Sequence, residues 1–200
     1  MPFFNDTQFQ PKRKFRFLVG FSNLGEDLVY MVTKATRPSF ELTNITEHKI
    51  LNHTFKFPGI VKWNDIDITL IDAIDPNVGS RFYNVLRNMG YVQPGTADQL
   101  AAGISKHQAW QALGEVVIRQ LDAGGQGAPD KADQSLPSSG VLSGAKSHEI
   151  WTLKNAFIKS IKWGDVDYSS EDIVTVDVGI TYDYATYEPV NPPAGLDYSM

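Results

Sequence analysis

The residues best able to do chemistry in this chain of 200 residues are its 4 histidines and 23 acidic side chains. His48 and His53 lie in a stretch of extended character, where their odd spacing would put them on opposite faces of a strand, unable to share a metal ion. His107 falls on a predicted helix with no second ligand one turn away, and His148 has only Glu149 beside it. The sequence contains no cysteine, so thiol catalysis, disulfides and Cys-ligated zinc are excluded within it.

The carboxylates show no spacing that selects a catalytic pair. Asp165 and Asp167 begin like a calcium-binding loop, but the glycine and the closing glutamate of that loop are absent from their places. The glycine-rich residues 124–127 lie in a linker-like stretch rather than between a strand and a helix, so they predict no phosphate cradle. We therefore expect no cofactor, no metal and no enzymatic activity. An enzyme that uses a pair of carboxylates is the least favoured interpretation of the sequence.

A basic run at residues 12–14, followed by Phe15 and Phe17, could be a small nucleic-acid patch, although such a run is more often the solvated end of a strand. The formal net charge of −5 argues against a protein that grips phosphates. No signal peptide and no apolar run of about 20 residues is visible, so the sequence predicts a soluble protein made in the cytoplasm, without a membrane anchor.

The N-terminal half is predicted to be mainly β. Apolar residues alternate over 14–21 and recur over 28–36, which predicts a hairpin that ends before Pro38. Short extended pieces at 39–62 predict a long protruding β-loop. Alternation resumes over 63–74.

The middle of the chain is predicted to be helical and then flexible. Asp75 and Pro76 can begin a helix, which is expected to end at Gly90 after a stripe at helical spacing. A second helix is predicted near 97–121, and residues 122–147, rich in Gly, Ala, Ser, Pro and Asp, read as a linker. The helical stripes comprise Val78, Phe82, Val85 and Met89, then Trp110, Leu113, Val117 and Leu121.

The C-terminal part returns to β character, with strands predicted over 148–163 and 173–184 and a loose tail over 188–200. Together the elements predict one domain with an α+β, mainly β fold. It would be an antiparallel sheet or barrel-like sandwich with one packed helix and one inserted helix, the insertion spanning about 92–147. So many strands in a small chain leave sheet edges uncovered, and open edges are templates for pairing with another chain. Assembly of copies into a closed ring would satisfy them.

Two regions resemble tail-tube proteins of contractile-tailed bacteriophages. Residues 166–170, Val-Asp-Tyr-Ser-Ser, precede an alternating strand and then Tyr-Asp-Tyr at 182–184, a pattern similar to the C-terminal region of that family. In the N-terminal half, Lys-Ala-Thr at 34–36 and the strand at 63–70 leading into a helix are also similar. The resemblance covers most of 12–91 and 148–187, and the segment 92–147 is longer than the family pattern.

The resemblance implies a structural subunit of a tail tube. Such subunits form hexameric rings whose strands close one barrel around a channel, and the rings stack inside a sheath so that DNA passes through the lumen. Implied partners are further copies of the chain, the sheath protein, baseplate and tail terminator proteins, and transiently DNA, in a virion tail assembled in the host cytoplasm. The loop at about 38–62 would contact the neighbouring ring through Glu41, Asn44, Glu47, Lys49, Asn52 and Lys56.

The polar stripes of the strongest strands give the lumen hypothesis. We expect a negatively charged wall that repels DNA phosphates over about 10 Å, formed by Asp65, Asp67, Thr175, Asp177, Thr181 and Asp183. Alternatives remain open at this point: the tube of a related contractile injection system, a baseplate-proximal tube protein, or a β-sandwich that binds carbohydrate on exposed aromatics.

Overall fold

The computed structural model describes residues 11–95, 103–121, 147–169 and 171–189. These residues form twelve β-strands, two α-helices and one short 3-10 helix, Glu26–Tyr30. The strands are β1 (Phe17–Phe21), β2 (Val32–Ala35), β3 (Phe40–Thr43), β4 (Thr46–Ile50), β5 (His53–Phe57), β6 (Ile60–Trp63), β7 (Ile66–Ile71), β8 (Val116–Leu121), β9 (Ser147–Lys154), β10 (Phe157–Trp163), β11 (Thr175–Thr181) and β12 (Tyr184–Pro189). The helices are α1 (Val78–Asn88) and α2 (Lys106–Leu113).

Two four-stranded antiparallel sheets make the body of the protein. The first sheet has the order β1-β8-β9-β12 and the second has the order β10-β11-β7-β2. The predicted class, α+β and mainly β with antiparallel sheets, is confirmed. Closure of a barrel by several copies lies beyond a single chain and stays a prediction.

The core lies between the sheets and helix α1. Val78, Phe82 and Val85 of α1 are buried, and the Phe82 ring meets Phe21 of the first sheet edge to face at 6.2 Å between centroids. The predicted helix and its apolar stripe are therefore confirmed. Its N-cap is Asn77 rather than Asp75, because the Asn77 side chain accepts a hydrogen bond from the Ser80 N–H at 2.7 Å.

The predicted hairpin of the first two strands is wrong. Strand β1 pairs with β8 in the first sheet, whereas β2 pairs with β7 in the second. The 3-10 helix between them carries the chain across the core and buries Leu28 and Val29 there. The segment between the two predicted strands is thus a crossover between the sheets rather than a hairpin turn.

The predicted helix near 97–121 is also wrong in its second half. Helix α2 ends at Leu113, because Gly114 adopts a φ of 77° that a helix cannot accommodate. The following Val116, Val117 and Ile118 are β-branched and become β8, a central strand between β1 and β9. The first sheet therefore depends on a strand inside the segment predicted as an insertion. The predicted linker lies outside the described residues except for Ser147, which begins β9.

The C-terminal strands each split between the two sheets. The predicted strand 148–163 breaks at Asn155, whose φ of 56° ends β9 before β10 begins. The alternation over 173–184 is confirmed in β11, whose Val176, Val178 and Ile180 are buried. The chain then leaves the second sheet at residues 182–183 and joins the first as β12. Residues 188 and 189 end β12 rather than beginning a loose tail, and the rest of that predicted tail lies outside the described residues.

A long hairpin projects from the body between β2 and β7. Strands β3 and β6 form its inner half, and β4 and β5 form its outer half. We call residues 40–63 the arm. It corresponds to the predicted protruding β-loop at 39–62. No helix within the described ranges is long and apolar enough to span a membrane.

Candidate assembly surfaces

The outer face of the second sheet carries charged residues in register. Lys162 of β10 lies directly across from Asp177 of β11, which lies across from Thr69 of β7 and then Lys34 of β2. The Thr69 hydroxyl donates to Asp177 Oδ1 at 2.6 Å. Neighbouring side chains in such a row are close enough to interact, so this face is ordered by its own polar contacts.

Asp65 immediately precedes β7, at the end of the same face. Its carboxylate pairs with Lys159 of β10 and accepts a hydrogen bond from the Thr181 hydroxyl. Lys159, followed by Thr181, holds the pKa of Asp65 below its usual value, against a smaller opposing effect of burial. Asp65 is thus held ionised as part of a fixed pair rather than as a free negative charge.

Five of the six predicted lumen residues share this face: Asp65, Asp67, Thr175, Asp177 and Thr181. The sixth, Asp183, lies in the crossover from β11 to β12 and binds Lys106 of α2 at 2.6 Å and Asn155 at 2.8 Å. These two hydrogen bonds, first that of Lys106, lower its pKa. Asp183 therefore fastens the two sheets and α2 together, a role that the strand periodicity could not indicate.

The face is not the uniformly acidic surface that we predicted. Lys34, Lys159 and Lys162 stand on it among the three aspartates. Each lysine comes from a strand other than that of its acidic neighbour, so strand pairing was needed to reveal the mixture. Which way this face points in an assembly stays a prediction.

The outer half of the arm has two unlike faces. Cross-strand pairs put Ile50 with His53, His48 with Phe55 and Thr46 with Phe57 on one face. The opposite face carries Lys49 with Thr54 and the ion pair Glu47–Lys56 at 3.2 Å. All of these residues are exposed, so the apolar face has no cover within the described chain.

The inner half of the arm is joined to the body through aromatic contacts. Phe40 packs on Trp63 at 5.5 Å, and Trp63 reaches Tyr182 of the body at 6.0 Å between ring centroids. Gly59 lets the β5–β6 turn approach the other strand, because a Cβ there would lie 1.8 Å from the Thr43 carbonyl oxygen. The arm is therefore tied at its base and closely packed at its bend.

The predicted inter-ring residues all lie exposed on the arm, namely Glu41, Asn44, Glu47, Lys49, Asn52 and Lys56. Three of them form ion pairs within the arm, Glu47 and Lys56 with each other and Glu41 with Lys62. The apolar side chains of the arm, including the fully exposed Leu51, were missed as contact residues. Their alternation with charged residues in 40–57 was the available signal.

A basic recess opens where the first sheet extends past β2. At its base Glu149 is only 3% exposed and binds Lys12 and Arg37, the latter at 2.9 Å. Burial alone would raise the pKa of Glu149, but hydrogen bonds and charge from Lys12 and Arg37 outweigh burial and lower it. The recess has a volume of about 480 Å³ and also contains Arg13, Lys14 and Lys34. The basic run at residues 12–14 is visible in the sequence, but the buried carboxylate of Glu149 beneath it was not predicted.

The strand order leaves four sheet edges: β1 and β12 in the first sheet, β10 and β2 in the second. Within the described ranges no group of three or more potential metal ligands comes together. The open sheet edges can pair with a strand of another chain, and the exposed apolar face of the arm can be buried against another chain.

No protein-family model and no curated protein matches the sequence. Solved structures match in fold. A chain of the PVC extracellular contractile injection system, in its extended sheath–tube complex, aligns with TM-score 0.57 and 14% identity, covering 92% of this chain and 94% of that one. A chain of the anti-feeding prophage baseplate aligns with TM-score 0.55 and 16% identity, covering 92% of this chain and 100% of that one.

A chain of the anti-feeding prophage tube-terminating cap gives TM-score 0.53 and 17% identity, with 92% of this chain and 95% of that chain covered. The structural neighbours are therefore chains of contractile injection systems, and the resemblance predicted from the sequence is confirmed at the level of the fold.

Proposed function

We propose that this chain is a structural subunit of the tube of a contractile injection apparatus or contractile phage tail. The observation that carries the proposal is the arm. Nine large apolar side chains of residues 40–61 are exposed on it: Phe40, Leu42, Ile45, Ile50, Leu51, Phe55, Phe57, Ile60 and Val61. On the outer half of the arm Ile50, Phe55 and Phe57 share one exposed face. An exposed apolar face of this kind is typical of a surface that another chain covers.

The open edges of the second sheet supply a way to form a ring. Strand β10 of one copy can pair with β2 of the next, because each leaves a row of backbone donors and acceptors on its outer side. Repetition around an axis closes the sheets into one barrel, and we propose six copies in the ring. The arm then covers the adjacent ring in the stack.

The mixed face of the second sheet suits the wall of a channel. Its lysines and aspartates are mixed, with Lys162 across from Asp177 and Lys159 paired with Asp65, so a passing polymer meets both signs of charge. We propose that this face lines the lumen and that DNA passes along it in ejection, without adhering. The partners of the tube would be a sheath, a baseplate and a terminator, in a tail assembled in the host cytoplasm.

The fold neighbours support this choice among the alternatives. They are chains of a sheath–tube complex, a baseplate and a tube-terminating cap. The tube of an injection system is therefore as well supported as that of a phage tail.

Negative-stain electron microscopy of the purified full chain tests the proposal. We expect rings with an axial channel, which lengthen into tubes as the protein concentration rises. Particles that stay monomeric at every concentration, while the chain remains folded by circular dichroism, would overturn it. Binding of such a monomer to glycans would instead favour the carbohydrate-binding alternative.

A further inference from the structure

The basic recess has the composition of a receptor for an acidic segment. Lys12, Arg13, Lys14, Lys34 and Arg37 surround it, and Glu149 is the one carboxylate among the described residues that line it. Glu149 engages Lys12 and Arg37. Its single charge leaves the recess with a surplus of positive charge, carried chiefly by Arg13, Lys14 and Lys34.

The walls of this recess are partly apolar. Phe17, Ile118 and Trp151 line it from the core-facing side of the first sheet. That side faces the second sheet elsewhere, and among the described residues it is left uncovered next to the edge strand β2. The recess can therefore take up a ring or an aliphatic side chain as well as a carboxylate. We call it the socket.

The β10–β11 loop, residues 164–174, has the complementary composition. It contains four carboxylates, Asp165, Asp167, Glu171 and Asp172, and no lysine or arginine. Tyr168 is fully exposed at its tip, and Val166 is 86% exposed. We call the described residues of this loop, 164–169 and 171–174, the plug.

The plug has a defined shape. The Ser169 N–H and hydroxyl donate to the Asp167 carboxylate at 2.9 and 2.8 Å, which closes a tight turn beneath Tyr168. The ends of the loop are held as well, since Gly164 N–H donates to the Thr175 carbonyl and Asp72 N–H to the Val174 carbonyl. Residues that are already held by hydrogen bonds, as these are, lose less entropy when they dock.

The socket and the plug lie at opposite edges of the second sheet. The plug follows the edge strand β10, whereas the socket adjoins the other edge strand, β2. Two unlike surfaces on opposite sides of one subunit generate head-to-tail contacts, which close into rings or continue into filaments.

We propose that the plug of one copy of this chain docks into the socket of the next copy. Tyr168 enters between Phe17 and Trp151, and carboxylates of the plug pair with Arg13, Lys14 and Lys34. The proposal rests on the proposed function, since it names the residues by which one tube subunit recognises another. It also explains why a chain of net charge −5 concentrates basic residues around one recess.

Removal of the aromatic tip is the first test. Tyr168→Ala should raise the concentration at which rings form by about 30-fold, because a buried aromatic anchor carries much of the free energy of an interface. Tyr168→Phe should assemble nearly as the wild type does. Ring formation is followed by sedimentation velocity, with circular dichroism as the check on folding. Unchanged assembly of Tyr168→Ala would overturn the proposal.

Charge reversal is the second test. Arg13→Glu with Lys14→Glu reverses the socket, and Asp165→Lys with Glu171→Lys reverses the plug; all four positions are exposed, so the fold should persist. Each double variant should weaken assembly on the order of 100-fold, because like charges then face each other. Arg87→Glu on α1 is the matched control for reversing an exposed basic residue away from the socket.

The combined variant with all four reversals distinguishes contact from coincidence. It restores opposite charges across the interface at unchanged net charge, so it should recover most of the lost assembly. If both double variants fail and the combined variant also fails, the socket receives something other than the plug, and the proposal is wrong. If the wild type assembles and the double variants assemble equally well, only the proposal fails. If the wild type forms no rings, the proposed function fails and this proposal with it.

Discussion

The body of this protein buries its apolar side chains, whereas the arm exposes side chains of the same kinds. In the body, residues such as Phe82, Ile68 and Val178 are fully buried between two sheets and a helix. In the arm, side chains of the same kinds are 44% to 97% exposed on a two-stranded ribbon, and nothing within the described ranges buries them. An isolated hairpin of this kind is marginally stable in water, so the arm depends on what covers it.

The difference separates two sources of stability in one chain. The body is stabilised by contacts within the chain, because its apolar residues are buried between the two sheets and α1. The arm contributes little until another molecule buries its apolar face. Substitutions in the two regions should therefore affect different measurements.

The largest effect on folding is expected in the body, for Phe82→Ala. Phe82 is fully buried and packs edge to face on Phe21, so truncation leaves a cavity and should cost about 3–5 kcal/mol in the free energy of unfolding. Urea denaturation of the dissociated subunit measures it. A cost below about 1 kcal/mol would mean that the core is not organised around α1.

A smaller loss, with a pH dependence, is expected for Glu149→Gln. At neutral pH it should cost about 1–2 kcal/mol, because a buried carboxylate loses its charge while Lys12 and Arg37 stay partly solvated. The pKa of Glu149 is lowered in the folded state, so its contribution is present above the ordinary pKa of 4.5 and is lost as the pH falls through the lowered value.

Denaturation curves of wild type and Glu149→Gln between neutral pH and about pH 3 measure this dependence. The gap between the two proteins should close toward the acid end. A gap that instead widens on acidification would contradict the assigned sign.

A still smaller effect on stability is expected for Asp65→Asn on the outer face of the second sheet. Its partner Lys159 is largely exposed, so the pair should contribute less than about 1 kcal/mol. Thermal unfolding in low and high salt measures this, and salt should shrink the difference. A loss comparable with that of Phe82→Ala would show that this face is structural.

The smallest effect on stability belongs to the arm, for Phe55→Ser with Phe57→Ser. Both side chains are half exposed, so unfolding of the isolated subunit should change by less than about 0.5 kcal/mol. Stacking of rings into tubes should nevertheless be lost, which electron microscopy detects.

The matched control for the arm lies on the opposite face of the same strand. Thr54→Ser with Lys56→Ser should leave stacking intact if the apolar face carries the contact. Loss of stacking in the control alone would assign the contact to the polar face, which carries Glu47, Lys49 and Lys56 of the predicted inter-ring residues.

Sequence periodicity was a good guide wherever a strand or helix buries one face. Alternation at 174–182 and helical spacing at 78–89 follow from burial alone, and both are found. Periodicity failed at 114–121, where Val117 and Leu121 continue a helical spacing from Trp110 and Leu113 by coincidence. The left-handed Gly114 and the β-branched run after it favoured a strand, but its partners β1 and β9 are distant in sequence.

The candidate surfaces were predictable in part. The arm could be anticipated as a protruding segment because its extended pieces lack a consistent buried face. The mixture of charges on the second sheet could not be anticipated from the sequence. Lys34, Asp177 and Lys162 come together only through pairing of β2, β7, β11 and β10. Glu149 was hidden for a related reason, since its cations arrive from residues more than 100 positions away.

The passage of the chain from β11 to β12 has a mechanical consequence. One backbone segment, residues 175–189, contributes a strand to each sheet, and Asp183 at the passage is gripped by Lys106 and Asn155. A pull on either sheet is transmitted to the other through covalent bonds rather than by sliding of packed side chains. Under a load along the axis of the assembly, the two sheets would therefore move as one rigid unit instead of sliding past each other.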